Sequence, residues 1–164
     1  MCGDREMVSS ARWMGWLGIS AVVVVLDQLS KQWVSQIFAF GEILPVTGYF
    51  NLVLAHNTGA AFSFLAAAGG WQRGFFIGIA VLAAVIIIHL LRKHHGQTVF
   101  SLALALILGG ALGNLIDRIL LGHVVDFLDF HVQGWHWPAF NVADMAITGG
   151  AALLVWDSLK KPAK

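Results

Sequence analysis

Two carboxylates stand 18 residues apart, on either side of the start of an apolar run: Asp126 in Val124-Val125-Asp126-Phe127 and Asp144 in Phe140-Asn141-Val142-Ala143-Asp144. Two carboxylates brought into contact cannot both ionise, so they share a proton. One can then act as general base on a water while the other acts as general acid. That is the chemistry of amide cleavage without a metal or a covalent intermediate. Taken alone, Asp126 reads equally well as a loop carboxylate facing water, and Asp129 reads as a solvated loop residue.

Other polar residues fall at the ends of apolar runs. Asp27 and Lys31 are spaced i, i+4, in the order that suits a helical ion pair. They read as a pair that neutralises itself, as support for a site, or as both. Gly109 and Gly113 form a small-xxx-small pair that lets another helix approach closely. Asn114, Asp117 and Arg118 follow on one face at i, i+3 and i+4. A helix starting near Pro138 would carry Asp144 about 9 Å along its axis, which argues against an N-cap role for Asp144. Asn141 would sit one turn earlier on the same face and within reach of it. Ala143, Ala146, Gly149 and Gly150 favour tight packing of that helix.

No rival nucleophile set is as good. Ser30, Ser35 and Ser63 have no obvious base beside them, and no HExxH is present. His123, His131 and His136 share one loop and could hold a metal, but their spacing is not diagnostic. The expectation is a site without metal or cofactor.

The elements that must position these groups follow from composition. The chain has 164 residues, of which 58% are hydrophobic and only 12% charged, with a formal net charge of +1. Mean hydropathy is +0.75. A soluble domain is about 45–50% apolar and about 25% charged, so a soluble enzyme and a disordered chain are disfavoured. The small net charge offers no basic field for nucleic acid. A lone cysteine, Cys2, can form no intrachain disulfide.

What remains is an all-α polytopic membrane protein. A helix needs roughly 20 mostly apolar residues to cross a bilayer. Four runs approach that, at about 13–29, 75–91, 99–121 and 139–156, within a single membrane domain. Arg5 and Arg12 before the first run fit a signal peptide's n-region, but no small-x-small cleavage site follows, so the run reads as a retained anchor. Arg5, Arg12, Arg92, Lys93, Lys160, Lys161 and Lys164 fall on one side, and Lys31, Arg73 and Arg118 on the other. The positive-inside rule then makes both termini cytoplasmic. Tryptophans 13, 33, 71, 135, 137 and 156 fall near the expected span borders, where such rings prefer the headgroup level.

Two outer loops are expected, at about 39–70 and 122–137. In the first, Ile43–Val46 and Tyr49–Ala55 are rich in β-formers, and Gly48 and Asn57-Thr58-Gly59 read as turns. A small β-rich outer (periplasmic) subdomain resting on the membrane is expected there. The second loop alternates aromatic and polar residues and suits an interfacial position. Six acidic residues, Asp27, Glu42, Asp117, Asp126, Asp129 and Asp144, fall on the outer side. They gather at one end rather than near the midplane, which argues against a transporter. A non-enzymatic membrane scaffold is the other rival.

At five blocks the sequence resembles the bacterial lipoprotein signal peptidases (signal peptidase II). The blocks are Asp27-Gln28-Leu29-Ser30-Lys31, Asn57-Thr58-Gly59-Ala60-Ala61-Phe62-Ser63, Gly109 to Arg118, Val124 to Phe127, and Phe140 to Asp144. They occur in the family's order and span about residues 13–157. The resemblance implies an intramembrane aspartyl endopeptidase of the bacterial inner membrane. Such enzymes cut the signal peptide from a prolipoprotein immediately before a cysteine already carrying diacylglyceryl. It implies Asp126 and Asp144 as the catalytic pair, and Asn57, Gly59, Asn114, Arg118 and Asn141 as residues lining the site. Asp27 and Lys31 match supporting positions. The loop around Asn57 is similar to the family's flap over the cleft. The implied partners are a diacylglyceryl-modified prolipoprotein, membrane lipid and macrocyclic peptide inhibitors that bind between the aspartates, with the chain acting as a monomer.

Overall fold

The computed structural model describes residues 2–59 and 69–160, with side chains from residue 12 onward. Ala60, Ala61, Phe62 and Ser63 of the second block, and Lys161 and Lys164 of the basic set, lie outside the described residues.

Four helices dominate: α1 (Cys2–Ile37), α2 (Trp71–His94), α3 (Thr98–Leu120) and α4 (Val142–Lys160). Each contains a stretch long and apolar enough to cross a membrane. α3 is the central one. More than half of its span is buried inside the protein, against 11–17% for the others. Gly109 of α3 packs on Ser20 and Val23 of α1. Gly110 packs on the Ala143 carbonyl of α4, and Gly150 of α4 on the Ala103 carbonyl of α3. A Cβ at any of these would overlap backbone or a branched side chain, so the glycines set how closely the helices approach. α2 joins α3 through Ala84, Ile87 and Leu91 against Leu104 and Leu108.

Long apolar faces stay uncovered. Val22, Leu26 and Leu29 on α1, Leu82 and Val85 on α2, and Val155 and Leu159 on α4 are all more than half exposed. Only an apolar solvent suits such faces, which is the expectation for a membrane bundle.

A four-stranded antiparallel sheet caps one end of the bundle, in the order β1 (Ile43–Thr47), β2 (Phe50–Asn57), β3 (Val124–Val132), β4 (Trp135–His136). The β1–β2 hairpin was expected. β3 was not: the segment expected as an irregular outer loop is a nine-residue strand. Val124, Val125 and Phe127 are buried, and the last two pack with Leu54 on Val34 of α1 and on Phe38, just past its end. α1 therefore runs past the expected end at 29 to Ile37, and Val34 in its last turn meets the sheet. Gln133 and Gly134 turn β3 into β4 with φ of 52° and 82°, the signature of a type I′ hairpin.

α4 also starts later than expected. Phe140 is still extended and bridges Leu128, with Phe140 N–H donating to the Leu128 carbonyl at 3.1 Å. The helix begins at Val142, not near Pro138. Asp144 is therefore its third residue, in the first turn, which corrects the placement of about 9 Å along the helix.

Candidate active site

Asn141 is the N-cap of α4. Its side-chain oxygen accepts the Asp144 N–H at 2.9 Å, and its own N–H donates to Asp144 Oδ2 at 3.4 Å. This reciprocal pairing is the logic of a capping box, with Asp at the third position in place of Glu. Asp144 thus takes part in the cap from the third helical position, while the N-cap itself is Asn141; that Asp144 is not the N-cap and that Asn141 bonds to it agree with the sequence reading. The negative carboxylate also suits the positive end of the helix dipole.

The Asn141 amide group reaches the other carboxylate as well. Its Nδ2 donates to Asp126 Oδ1 at 2.7 Å. Asn57 Nδ2 donates to Asp126 Oδ2 at 3.1 Å. Asp126 faces Ala55 across the β2–β3 ladder, and Asn57 faces Val124, so the two side chains meet diagonally. On the helix side, Asn114 Nδ2 donates to Asp144 Oδ1 at 2.8 Å. Both aspartates, Asn57, Asn114 and Arg118 line one cavity of about 810 Å³. Burial first, and then the neighbouring Asp144 carboxylate, push Asp126 up to about 7. The bonds from Asn57 and Asn141, and the Lys31 charge, oppose that rise.

Behind the cavity wall lies a buried cluster centred on Lys31. Its Nζ is 2.8 Å from Asp27 Oδ2, 2.9 Å from Asp117 Oδ2, and donates to Asn114 Oδ1 at 2.9 Å. All three ammonium donors are used. With its oxygen on Lys31, Asn114 must turn its amide NH₂ toward Asp144. The two carboxylates of the cluster grip backbone beside the candidate pair. Asp27 Oδ1 accepts the Ala143 N–H at 2.9 Å, one residue before Asp144. Asp117 Oδ2 accepts the Val125 N–H at 3.1 Å, one residue before Asp126. Gln28 closes the set, donating to Asp117 Oδ1 at 2.8 Å and the Gly113 carbonyl at 3.1 Å. The Asp27–Lys31 pair is therefore neutralised within the cluster, and Asp27 also holds the backbone beside Asp144.

Arg118, half-buried, is part of the cavity wall. Its guanidinium donates to the Gly59 carbonyl at 3.0 Å and lies 5.1 Å over the Phe76 ring. Gly59 N–H in turn donates to Asn57 Oδ1 at 3.0 Å. Arg118 and Gly59 so tie the end of β2 to α3. Arg73 was only counted as a basic residue in the sequence. It donates to the Arg118 and Ile119 carbonyls at 2.8 and 2.9 Å and holds the last turn of α3.

One expectation about the outer loop is corrected. Asp129 is not a solvated loop residue: it is 6% exposed, accepts from Asn51 Nδ2 at 2.7 Å and pairs with His136 Nδ1 at 2.9 Å. The three loop histidines stack in two separate pairs. His123 stacks on His56 with ring centroids 3.9 Å apart, while His131 stacks on His136.

The fold and site define a class: a four-span membrane bundle with a small sheet over one end and two carboxylates, Asp126 buried and Asp144 half-buried, where the two meet. The comparisons with known proteins agree. Residues 19–160 match the family model described as signal peptidase (SPase) II. A lipoprotein signal peptidase of Ralstonia nicotianae is 63% identical over 89% of this chain and 84% of its own length. One from a Janthinobacterium species is 57% identical over 98% of this chain and 97% of its own length. A solved bacterial membrane enzyme, determined by the in meso method at 2.3 Å resolution, superposes with a TM-score of 0.80 at 30% identity, covering 92% of this chain and 93% of its own. The chain belongs to the signal peptidase II family.

Proposed function

We propose that the chain is an aspartyl endopeptidase that removes the signal peptide from prolipoproteins, cutting immediately before a diacylglyceryl-modified cysteine. The observation that carries this reading is one residue bonded to both carboxylates: Asn141 holds Asp126 through its amide and Asp144 through its cap, on the wall of a single cavity.

In the proposed reaction Asp144 takes a proton from water as the oxygen attacks the scissile carbonyl carbon. Asp126 gives its proton to the carbonyl oxygen, and a gem-diol results. The diol then returns a proton to one carboxylate while the other protonates the amide nitrogen. The C–N bond breaks, leaving a carboxyl end on the signal peptide and a free amine on the lipid-bearing cysteine. A proton on Asp126 near neutrality suits it to the acid role in the first step. Asn57, Asn114 and Arg118 hold the substrate backbone, and hydrogen bonds in so buried a site gain strength.

Part of the cavity wall comes from Met145, Ile147, Thr148 and Gly149 of α4, a helix whose apolar face is largely uncovered. Acyl chains can stay in lipid beside this wall while the peptide reaches the aspartates. A macrocyclic peptide inhibitor would fill the same space. In this reading the site faces the outer side of the bacterial inner membrane and both termini are cytoplasmic, which the basic residues at the opposite end support. Both aspartates and their clamps come from one chain, so a monomer suffices.

The test is product analysis. The purified protein in lipid should convert a diacylglyceryl-modified prolipoprotein to a mature form whose first residue, by mass, is the lipidated cysteine. A different cut site, or no cut by the wild type, overturns the reading.

A further inference from the structure

The end of the bundle away from the sheet holds a second cavity that the proteolytic reading does not use. It has a volume of about 330 Å³ and lies between α1 and the α2–α3 turn, lined by Arg12, Trp16, Ile19, His95, Gly96 and Thr98, with Gly15 beside them. Its surroundings are cationic. Arg12 is exposed on its wall, and Arg92 and Lys93, in the last turn of α2, precede the wall residue His95 by three and two positions. Acids are sparse nearby: residues 7–26 and 43–116 contain no Asp or Glu. The acids on this side are Asp4 and Glu6, before the span, and Asp157 on α4. Thr98 is the first residue of α3, so the positive end of that helix lies at the cavity wall.

Two tryptophans fix the depth. Trp16 Nε1 donates to the His95 carbonyl at 3.1 Å, and the Arg92 guanidinium lies 4.7 Å over the Trp13 ring. Rings of this kind sit at the headgroup level. Below the cavity the same face of α1 continues as Val22 and Leu26, at i+3 and i+7 from Ile19, which are 57% and 55% exposed. A molecule with its anionic group in the cavity would lay its chains along that face.

We propose that this cavity binds the phosphate of an anionic phospholipid headgroup, with Arg12 on its wall as the charge that selects it. Basic pockets between spans at headgroup depth are a recognised lipid-binding arrangement. The bound lipid would bridge α1 to the α2–α3 turn, where Trp13–Arg92 and Trp16–His95 already join them.

The test uses the full chain in vesicles of phosphatidylcholine mixed with phosphatidylglycerol, followed by native mass spectrometry of the lipid that stays bound. Phosphatidylglycerol should be retained over phosphatidylcholine. Arg12→Gln, on an exposed side chain outside the active site, should lower that preference about fivefold, while Lys160→Gln at the same end leaves it unchanged. Equal retention of the two lipids by wild type overturns the proposal, as does an unchanged preference in Arg12→Gln. An equal loss in Lys160→Gln would show a general surface field rather than a site. Displacement of phosphatidylglycerol by inorganic phosphate would show a free-anion site, and that too would overturn it.

Discussion

Asp144 and Asn141 cap one another: Asp144 N–H donates to Asn141 Oδ1 at 2.9 Å, and Asn141 N–H donates to Asp144 Oδ2 at 3.4 Å. The device that starts α4 is thereby also the device that aims one candidate catalytic carboxylate. The same Asn141 side chain donates to Asp126 at 2.7 Å, so helix start and sheet share one ligand.

Separating those two jobs gives a first prediction. Asn141→Ala removes the cap and the bond to Asp126, and should cost about 1 kcal/mol of stability together with most of kcat. Asn141→Ser restores a capping oxygen but not the amide donor to Asp126. Thermal unfolding in detergent should show Ser recovering most of the lost stability, while prolipoprotein turnover stays low. Full turnover with Ser would mean that the amide bond to Asp126 is dispensable.

Asp126 gives a prediction in pH. Burial and the nearby Asp144 charge raise it from an ordinary 3.8 to about 7. Between those values the folded protein holds a proton that the unfolded chain has released. Folding is therefore favoured at the acid side of that window and loses stability as pH rises through it. Asp126→Asn should flatten this slope when unfolding is followed against pH. Turnover should fall as pH climbs past about 7, because the proposed acid loses its proton. A rate profile flat across neutrality would contradict the assignment.

The Lys31 cluster gives a third. Lys31→Met leaves Asp27 and Asp117 buried without their counter-ion, and a broken buried pair costs about 3–5 kcal/mol. Denaturant unfolding should move accordingly. Replacing all three by neutral residues (Asp27→Asn, Lys31→Met, Asp117→Asn) should recover part of that stability. Turnover should stay low, because Asn114 is no longer held with its NH₂ toward Asp144. Wild-type stability in Lys31→Met would make the cluster incidental.

The spans and the chemistry-bearing residues were legible because both are local signals. Apolar length marks a span, and an acid inside one needs a reason. Asp27 and Lys31 could be paired by i, i+4 spacing alone. That Asp117 joins them, 86 residues after Lys31, could not be read, since nothing local links the two. β3 was missed because the alternation in residues 122–137 was taken as the mark of an interfacial loop, and the strand's first half does not alternate: Val124, Val125, Asp126 and Phe127 are buried in succession, and its ladder with β2 shifts register between Leu52 and Ala55. Asp129 read as solvated because its partner Asn51 lies 78 residues away. The start of α4 was placed early because Pro138 suits a first turn. What overrides it is the pairing of Phe140 with Leu128, a tertiary contact.

The central claim is that Asp126 and Asp144 act as one unit. The most direct measurement is kcat for Asp126→Asn, Asp144→Asn and the double variant on a diacylglyceryl-modified prolipoprotein, with unfolding temperature followed in parallel. The account predicts that each single change lowers kcat on the order of 10²–10⁴-fold or more without unfolding the bundle. It also predicts that the double change costs no more than either single one, as for groups that act together. Full cleavage by either single variant, or additive losses in the double, would contradict it.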